Sequence, residues 1–364
     1  MSVSNRIKYH APFAVLALIL AVYLGMKTLP EEGWSGWSEP SAQTLLTLEH
    51  WANDGIVHHK FLYIPIGYSK AVKYLDDPEL RHHARGTVTG SLIGRRLYYT
   101  HYPSGFVLPY AFLRKAGVTE RHAFRLLSLA FSFGGLILLY VFLNRVTTPL
   151  VAFFAVLYYG VSTMFLDFAD TLNNQPIDDL LRFAILAVSL GSVTGDKEKR
   201  GRFVFITWAL FLVLAISSYD STFFIYAWLV GIDLAAWLGG DRSEGPFRIK
   251  KWAFYASAPV IDFSVQMFQN WWYLGTGDMI LDIKGTLDTR LGAGHGGGFG
   301  AGVYRHLAAT LVPFKLMTGL DALPAAGLTA AASGAFLYLR GRLQYRWPRF
   351  TVFLLLLIAG SVFT

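Results

Sequence analysis

The sequence predicts an all-α polytopic membrane protein of about nine transmembrane helices, with a long first outer loop that contains interfacial helices. Three observations lead there. Of 364 residues, 54% are hydrophobic and only 15% charged, against about a quarter charged in an average soluble domain. Four runs, Ala11–Met26, Leu126–Leu143, Leu150–Leu166 and Phe203–Tyr219, hold no ionisable side chain except tyrosine. Helices of roughly 18 or more apolar residues cross a hydrocarbon layer of about 30 Å. Finally, the basic residues cluster between alternate apolar segments, as membrane topology places them. The formal charge of +8 therefore follows topology and does not point to nucleic acid. With no cysteine, disulfides, thiol catalysis and cysteine-ligated zinc are excluded.

Taken in order, the spans lie near 11–29, 126–143, 150–166, 180–195, 203–219, 221–238, 252–270, 322–339 and 350–364, in one transmembrane domain over 1–364. Arg6 and Lys8 ahead of the first run suit an uncleaved signal anchor, since no small-residue cleavage site follows. With the N-terminus inside, the inner loops hold Arg145, GDKEKRGR, DRSEGPFRIKK and LRGRLQYRWPRF. The short outer loops, Ala169–Asp179 and the turn at Tyr219-Asp220, have no Lys or Arg, as the positive-inside rule requires. Two long outer loops remain, 30–125 and 270–321. Within the first, YPSGFVLPYAFL reads as an interfacial or re-entrant helix, because a full span would invert every later loop. Within the second, GAGHGGGFGAG lacks the Gly-Lys-Ser/Thr ending of a phosphate loop and reads as a flexible loop or lid.

Acidic residues on the outer side need explaining. The first outer loop carries Glu39, Glu49, Asp54, Asp76, Asp77 and Glu79, and LDFADTLNNQPIDDLLRF carries Asp167, Asp170, Asp178 and Asp179. A charge at the mouth of a membrane helix is costly unless solvated, paired or used. Singly these read as loop ends and helix caps; together they suggest a cleft. The pairs His58-His59 and His82-His83 point about 100° apart on a helix, which suits shared metal ligation poorly, and a solvated headgroup-level role is expected. Lys60, Arg95, Arg96 and His101 either bind the phosphate of a lipid carrier or anchor to lipid headgroups. Trp34, Trp37 and Trp51 are expected at the membrane interface. Asp220 either marks a tight turn or faces a polar cavity.

The order of these features resembles the GT-C superfamily of integral membrane glycosyltransferases, in particular the protein mannosyltransferase and aminoarabinose transferase-like branch. The matching pieces are ANDGIVHHKF, YYTHYPSGFVLPYAFLRKAGVTERHAFRLLSLAFSFGGLILLYVFLNR, and FLDFADTLNNQPIDDLLRFAILA followed by GDKEKR. The resemblance covers roughly residues 11–240. It implies an inverting transferase that moves a sugar from a polyprenyl-phosphate donor to an acceptor on the outer face of the cytoplasmic membrane. A carboxylate of the first outer loop would be the general base. Where the family has Asp-Glu, this chain has Ser38-Glu39, so either Glu39 or Asp54 takes that role. Asp170 and Asp178 are then expected to contact acceptor or donor, and Lys60, Arg95, Arg96, His101 and Tyr102 to line the donor side. No cofactor is assigned, and a divalent metal ion is left open. Expected partners are the polyprenyl-phosphate-linked sugar, membrane lipids and subunits of a membrane complex. The missing aspartate, and a chain ending at Thr364 as the ninth span closes, motivate a rival reading: a non-catalytic accessory or scaffold subunit, a short variant or a fragment. A secondary transporter is disfavoured by the absence of half-repeats.

Overall fold

The computed structural model describes residues 3–29, 38–66, 97–100, 102–194, 197–219, 221–238 and 247–290, and these are mostly helical. Helix α1 (Val3–Thr28) buries Leu16, Leu20 and Leu24 along one stripe, while Leu18, Ile19, Val22 and Met26 stay exposed. A helix that is apolar all round with one covered stripe turns its other faces to an apolar medium. Among the described residues, three helical stretches are long and apolar enough to cross a membrane: His10–Thr28, Arg121–Val146 and Glu198–Ser217. Pro149–Gly160 and Thr222–Leu234 are apolar but shorter.

Between α1 and the bundle proper come α2 (Ser38–Asp54), strands β1 (Tyr63–Ile66) and β2 (Leu97–Tyr99), a 3-10 turn at Gly105–Val107, and α3 (Leu108–Lys115). The bundle continues with α4 (Arg121–Val146), α5 (Pro149–Gly160), α6 (Thr163–Phe168), α7 (Gln175–Thr194), α8 (Lys197–Ser217), α9 (Thr222–Leu238) and α10 (Phe247–Arg290). Helix α7 is central: it packs along α4 on one side and α8 on another, and also meets α9. Helix α10 lies against α8 and α9, and α1 and α5 lie against α4. Gly135 of α4 brings the first two backbones together, since a Cβ there would stand 3.2 Å from the Asp179 carbonyl carbon of α7.

The segment YPSGFVLPYAFL is helical over Gly105–Lys115, too short to cross, as its two prolines foretold. Three features differ from expectation. The run 150–166 is two helices, because the Ser162 hydroxyl caps α6 by accepting from the Phe165 N–H at 3.2 Å. Helix α10 does not end at residue 270: it runs on to Arg290, with Gly275 at φ +73° marking a kink. Its 44 residues are thus two helical stretches that meet at Gly275. The stretch after Gly275, expected to be loop, is helical. The spans near 322–339 and 350–364 and the glycine-rich stretch 292–302 lie outside the described residues.

The third difference is a small sheet in the first outer loop. Strands β1 and β2 are antiparallel, with Tyr63 opposite Tyr99 and Ile66 opposite Leu97. A lone two-stranded ribbon is marginal in water. Here Leu62, Ile64 and Tyr98 bury themselves with Tyr273 of α10, and Thr47 of α2 accepts from the Ile64 N–H at 3.0 Å. Trp51 is accordingly buried, its Nε1 donating to the Leu62 carbonyl at 3.2 Å. That corrects its expected place at the membrane interface: the indole packs inside the loop.

At the 3-10 turn, a Cβ on Gly105 would collide with the Ile216 carbonyl at the end of α8. Gly105→Ala should therefore cost about 1–3 kcal/mol as overpacking against backbone. Gly201→Ala, with open space around it, should change stability by no more than about 0.5 kcal/mol. Urea unfolding of the detergent-solubilised protein separates the two.

Candidate functional site

Three polar clusters gather at the end of the bundle where α1 finishes and α4 begins. The first centres on Asp170, in the loop after α6. Arg125, in the first turns of α4, donates Nε to Asp170 Oδ2 at 3.1 Å and binds the same oxygen through Nη2. Thr28 Oγ1 donates to that oxygen at 3.3 Å, and Lys27 Nζ stands 3.6 Å from Oδ1. Arg125 Nη2 also donates to the Lys27 carbonyl at 3.1 Å. Asp170 and Arg125 are 2% and 3% exposed. Asp170, expected to contact substrate, is thus buried in an ion-pair cluster that joins the ends of α1 and α4 to the α6–α7 loop.

The second cluster lies along that same loop. Asn174 Nδ2 donates to Tyr102 Oη at 2.6 Å, to Asp178 Oδ2 at 3.2 Å and to Ser218 Oγ at 3.3 Å. Tyr102 and Ser218 also hydrogen-bond each other. Four chain segments meet here: the stretch after β2, the α6–α7 loop, the first turn of α7 and the end of α8. Asp178 is buried, and the N-terminal position in α7 favours its charge. Nearby, the start of α2 is pinned to the loop. Ser41 Oγ accepts from the Leu172 N–H at 3.0 Å, and Thr44 Oγ1 donates to the Leu172 carbonyl. Tyr63 hydrogen-bonds Thr44 at 3.3 Å and donates to the Pro40 carbonyl at 3.2 Å. Burial pushes its phenol far above the ordinary value, against the opposing Thr44 hydrogen bond, so it stays neutral.

The third cluster is at the other end of α2. Asp54, its last residue, has a carboxylate one-third exposed, and His59 Nε2 stands 3.3 Å from Oδ2. His59 is fully buried, with Nδ1 2.5 Å from Tyr98 Oη. His50, one turn before Asp54 on α2, approaches the same Oδ2 at 3.9 Å. The expected solvated role for the histidines therefore fails for His59. The chain doubles back sharply through Gly55 (φ +89°), Lys60 (φ +52°) and Phe61 (φ +60°), and this folds His59 beneath the carboxylate. Two consecutive non-glycine residues with positive φ cost on the order of 1–3 kcal/mol each. Lys60 Nζ donates to the His58 carbonyl at 3.0 Å and lies 5.7 Å from the Trp272 ring centre on α10.

Strand β2 and Tyr102 reach the last two clusters: Tyr98 meets His59, and Tyr102 meets Asn174. Between them, the Thr100 carbonyl accepts from Gln266 at 3.1 Å and Asn270 at 2.9 Å, and its hydroxyl donates to Asp282 at 2.8 Å, all on α10. Glu39 lies in the first turn of α2, so along the helix it is roughly 22 Å from Asp54 at 1.5 Å per residue. The two candidate bases cannot serve one centre together. Arg95, Arg96, His101 and Asp220 lie outside the described residues, as do His82 and His83. Sequence reasoning did not single out Tyr98, Asn174, Ser218 or Arg125. For Arg125 the signal was a second arginine, one turn after Arg121, just ahead of the apolar run 126–143.

Among the described residues no group of three or more His, Asp or Glu is placed to hold a metal ion. No family model, curated protein or solved structure matches the chain.

Removing Asp170 leaves buried Arg125 without its counter-charge. Asp170→Ala should lose about 3–5 kcal/mol, and adding Arg125→Met should recover part of that loss. Denaturant unfolding of the single and double variants measures both.

Proposed function

We propose that this chain is an integral membrane glycosyltransferase that moves a sugar from a polyprenyl-phosphate donor to an acceptor hydroxyl, with Asp54 as general base. The observation that carries the reading is the Asp54 loop. A carboxylate one-third open to solvent is backed by a buried imidazole, in a loop strained at Lys60 and Phe61. Strain of this kind persists where the surrounding structure imposes it, and it collects at functional sites.

The topology in this reading has about nine spans in the cytoplasmic membrane, with the N-terminus inside and loops 30–125 and 270–321 outside. It is supported by which chain ends meet. Lys27 and Thr28 join Arg125 and Asp170, Tyr102 joins Asn174 and Ser218, and Thr100 joins α10 at Gln266 and Asn270. Each of these falls on the side that the alternation of spans assigns to the outside.

In the reaction, Asp54 takes the proton of the acceptor hydroxyl while that oxygen bonds to the anomeric carbon. The carbon–oxygen bond to the phosphate breaks on the opposite face, and its electron pair leaves with the phosphate. Lys60 beside Trp272, with Arg95 and Arg96 as further cations, would neutralise that charge. Asp54 suits a base better than Glu39 on physical grounds. It ends α2, where the helix dipole opposes a negative charge, whereas Glu39 lies in the first turn, where the dipole stabilises one. Asp178, Asn174 and Tyr102 would orient the sugar or the acceptor. Asp170 would hold this end of the bundle in shape.

The test is turnover of polyprenyl-phosphate sugars by protein in lipid. Asp54→Asn should cut turnover on the order of 100- to 10,000-fold, the usual range for a general base. Glu39→Gln should change it far less, and Lys60→Ala should mainly raise KM for the donor. Loss in Glu39→Gln with Asp54→Asn unaffected would move the base to Glu39. No turnover by the wild type, together with co-purifying membrane subunits, would favour the accessory-subunit reading.

A further inference from the structure

We propose that His59 is a positioning residue for Asp54, its tautomer fixed by Tyr98, so that the two groups form a one-way hydrogen-bonded relay behind the carboxylate. This rests on the role of Asp54 given above, but its physical core can be tested without turnover.

A carboxylate only accepts hydrogen bonds, so His59 must carry a proton on Nε2 to bond Asp54 Oδ2 at 3.3 Å. In the neutral imidazole Nδ1 is then an acceptor, and the Tyr98 hydroxyl, 2.5 Å away, donates to it. Tyr98 and His59 are both fully buried. Neither can reach a substrate, and both act only through Asp54. Burying an imidazole with both nitrogens engaged requires two partners in the right directions. The strained turn at Lys60 and Phe61 delivers one of them, and β2 delivers the other.

The consequence is orientation. Asp54 ends its helix, and the His59 N–H, with His50 3.9 Å from the same oxygen, holds the rotation of its carboxyl group. Holding Oδ2 toward the interior directs the Asp54 carboxylate at the one-third of its surface that solvent reaches. A carboxylate positioned in this way is a better-placed base than one that rotates. The arrangement is that of an orienting group behind a base, with the order of residues Tyr, His, Asp.

The experiment has two arms. In the first, protein labelled with 15N histidine is examined in lipid nanodiscs, with His59→Gln identifying the His59 signals. The expected spectrum is the neutral Nε2–H tautomer, shifted in Tyr98→Phe. An Nδ1–H tautomer, or no response to Tyr98→Phe, overturns the proposal whatever the turnover. In the second, transferase rates are compared in a double-variant cycle. Tyr98→Phe should lower kcat about 10- to 100-fold, the size of a hydrogen bond to a charged or polarised group, with donor KM unchanged. The same change should have no effect in an Asp54→Asn background. His59→Gln, whose amide can still donate to Asp54, should retain more activity than His59→Phe. Equal losses from Tyr98→Phe in both backgrounds overturn the proposal. Absence of all wild-type turnover removes the transferase reading alone, and the tautomer measurement still decides whether the relay exists.

Discussion

The buried Asp170 carboxylate governs the end of the bundle where all three polar clusters lie. Its partners Lys27, Thr28 and Arg125 come from the end of α1 and the start of α4. Away from water the Arg125 charge needs the Asp170 carboxylate, with partly exposed Lys27 a second cation beside it, and these bonds tie the α6–α7 loop to α1 and α4. The consequences follow along the chain. Two residues on, the Leu172 backbone pairs with Ser41 and Thr44 and so seats the start of α2. Two residues further, Asn174 holds Tyr102. Tyr102 follows strand β2 in the chain, and Tyr98 of that strand meets His59. The Asp54 loop is therefore set by contacts that begin at the opposite end of α2.

Local cost is concentrated where function is proposed. Most of the described structure is locally consistent: apolar helices, a serine cap at Ser162, an acidic first turn at Asp178. Around Asp54 the local rules are broken. An aspartate ends a helix against its dipole, two non-glycine residues take positive φ, and a histidine is buried with both nitrogens engaged. Sequences that fold well avoid such conflicts except where something other than stability maintains them. The same reasoning does not single out Asp170, which is buried with Arg125, Thr28 and Lys27 as partners and breaks no local rule.

Long helix α10 ties the outer-loop elements to the bundle. Its lower part packs with α8 and α9, where buried Lys251 pairs with Asp233 at 2.6 Å. Beyond Gln266 its side chains grip Thr100, and Tyr273 closes the small core of β1 and β2. The kink at Gly275 falls between these contacts and Asp282, which accepts from the Thr100 hydroxyl. A helix that serves two environments in this way carries no single periodic signal, which is why its outer half reads as a loop.

Helical class and the approximate positions of α1, α4, α7, α8, α9 and the first part of α10 were legible in the amino-acid order, because apolar runs and basic clusters are local properties that a bilayer reads directly; α2, the break between α5 and α6 and the far part of α10 were not. So was the short helical nature of YPSGFVLPYAFL, from its length and its prolines. The sheet was not, since three- and four-residue strands have no period to detect and exist only because α2 and α10 cover them. The site was half legible. Asp54, Lys60, Asp178 and Tyr102 stand out as polar residues in apolar surroundings. Their partners Tyr98, Asn174 and Ser218 are ordinary in sequence and were brought near by the fold, whereas His59 stood out as half of a histidine pair but was expected in a solvated place. The burial of Asp170 and His59 was likewise decided in the tertiary structure, because burial depends on which distant segment arrives, and no local pattern encodes that.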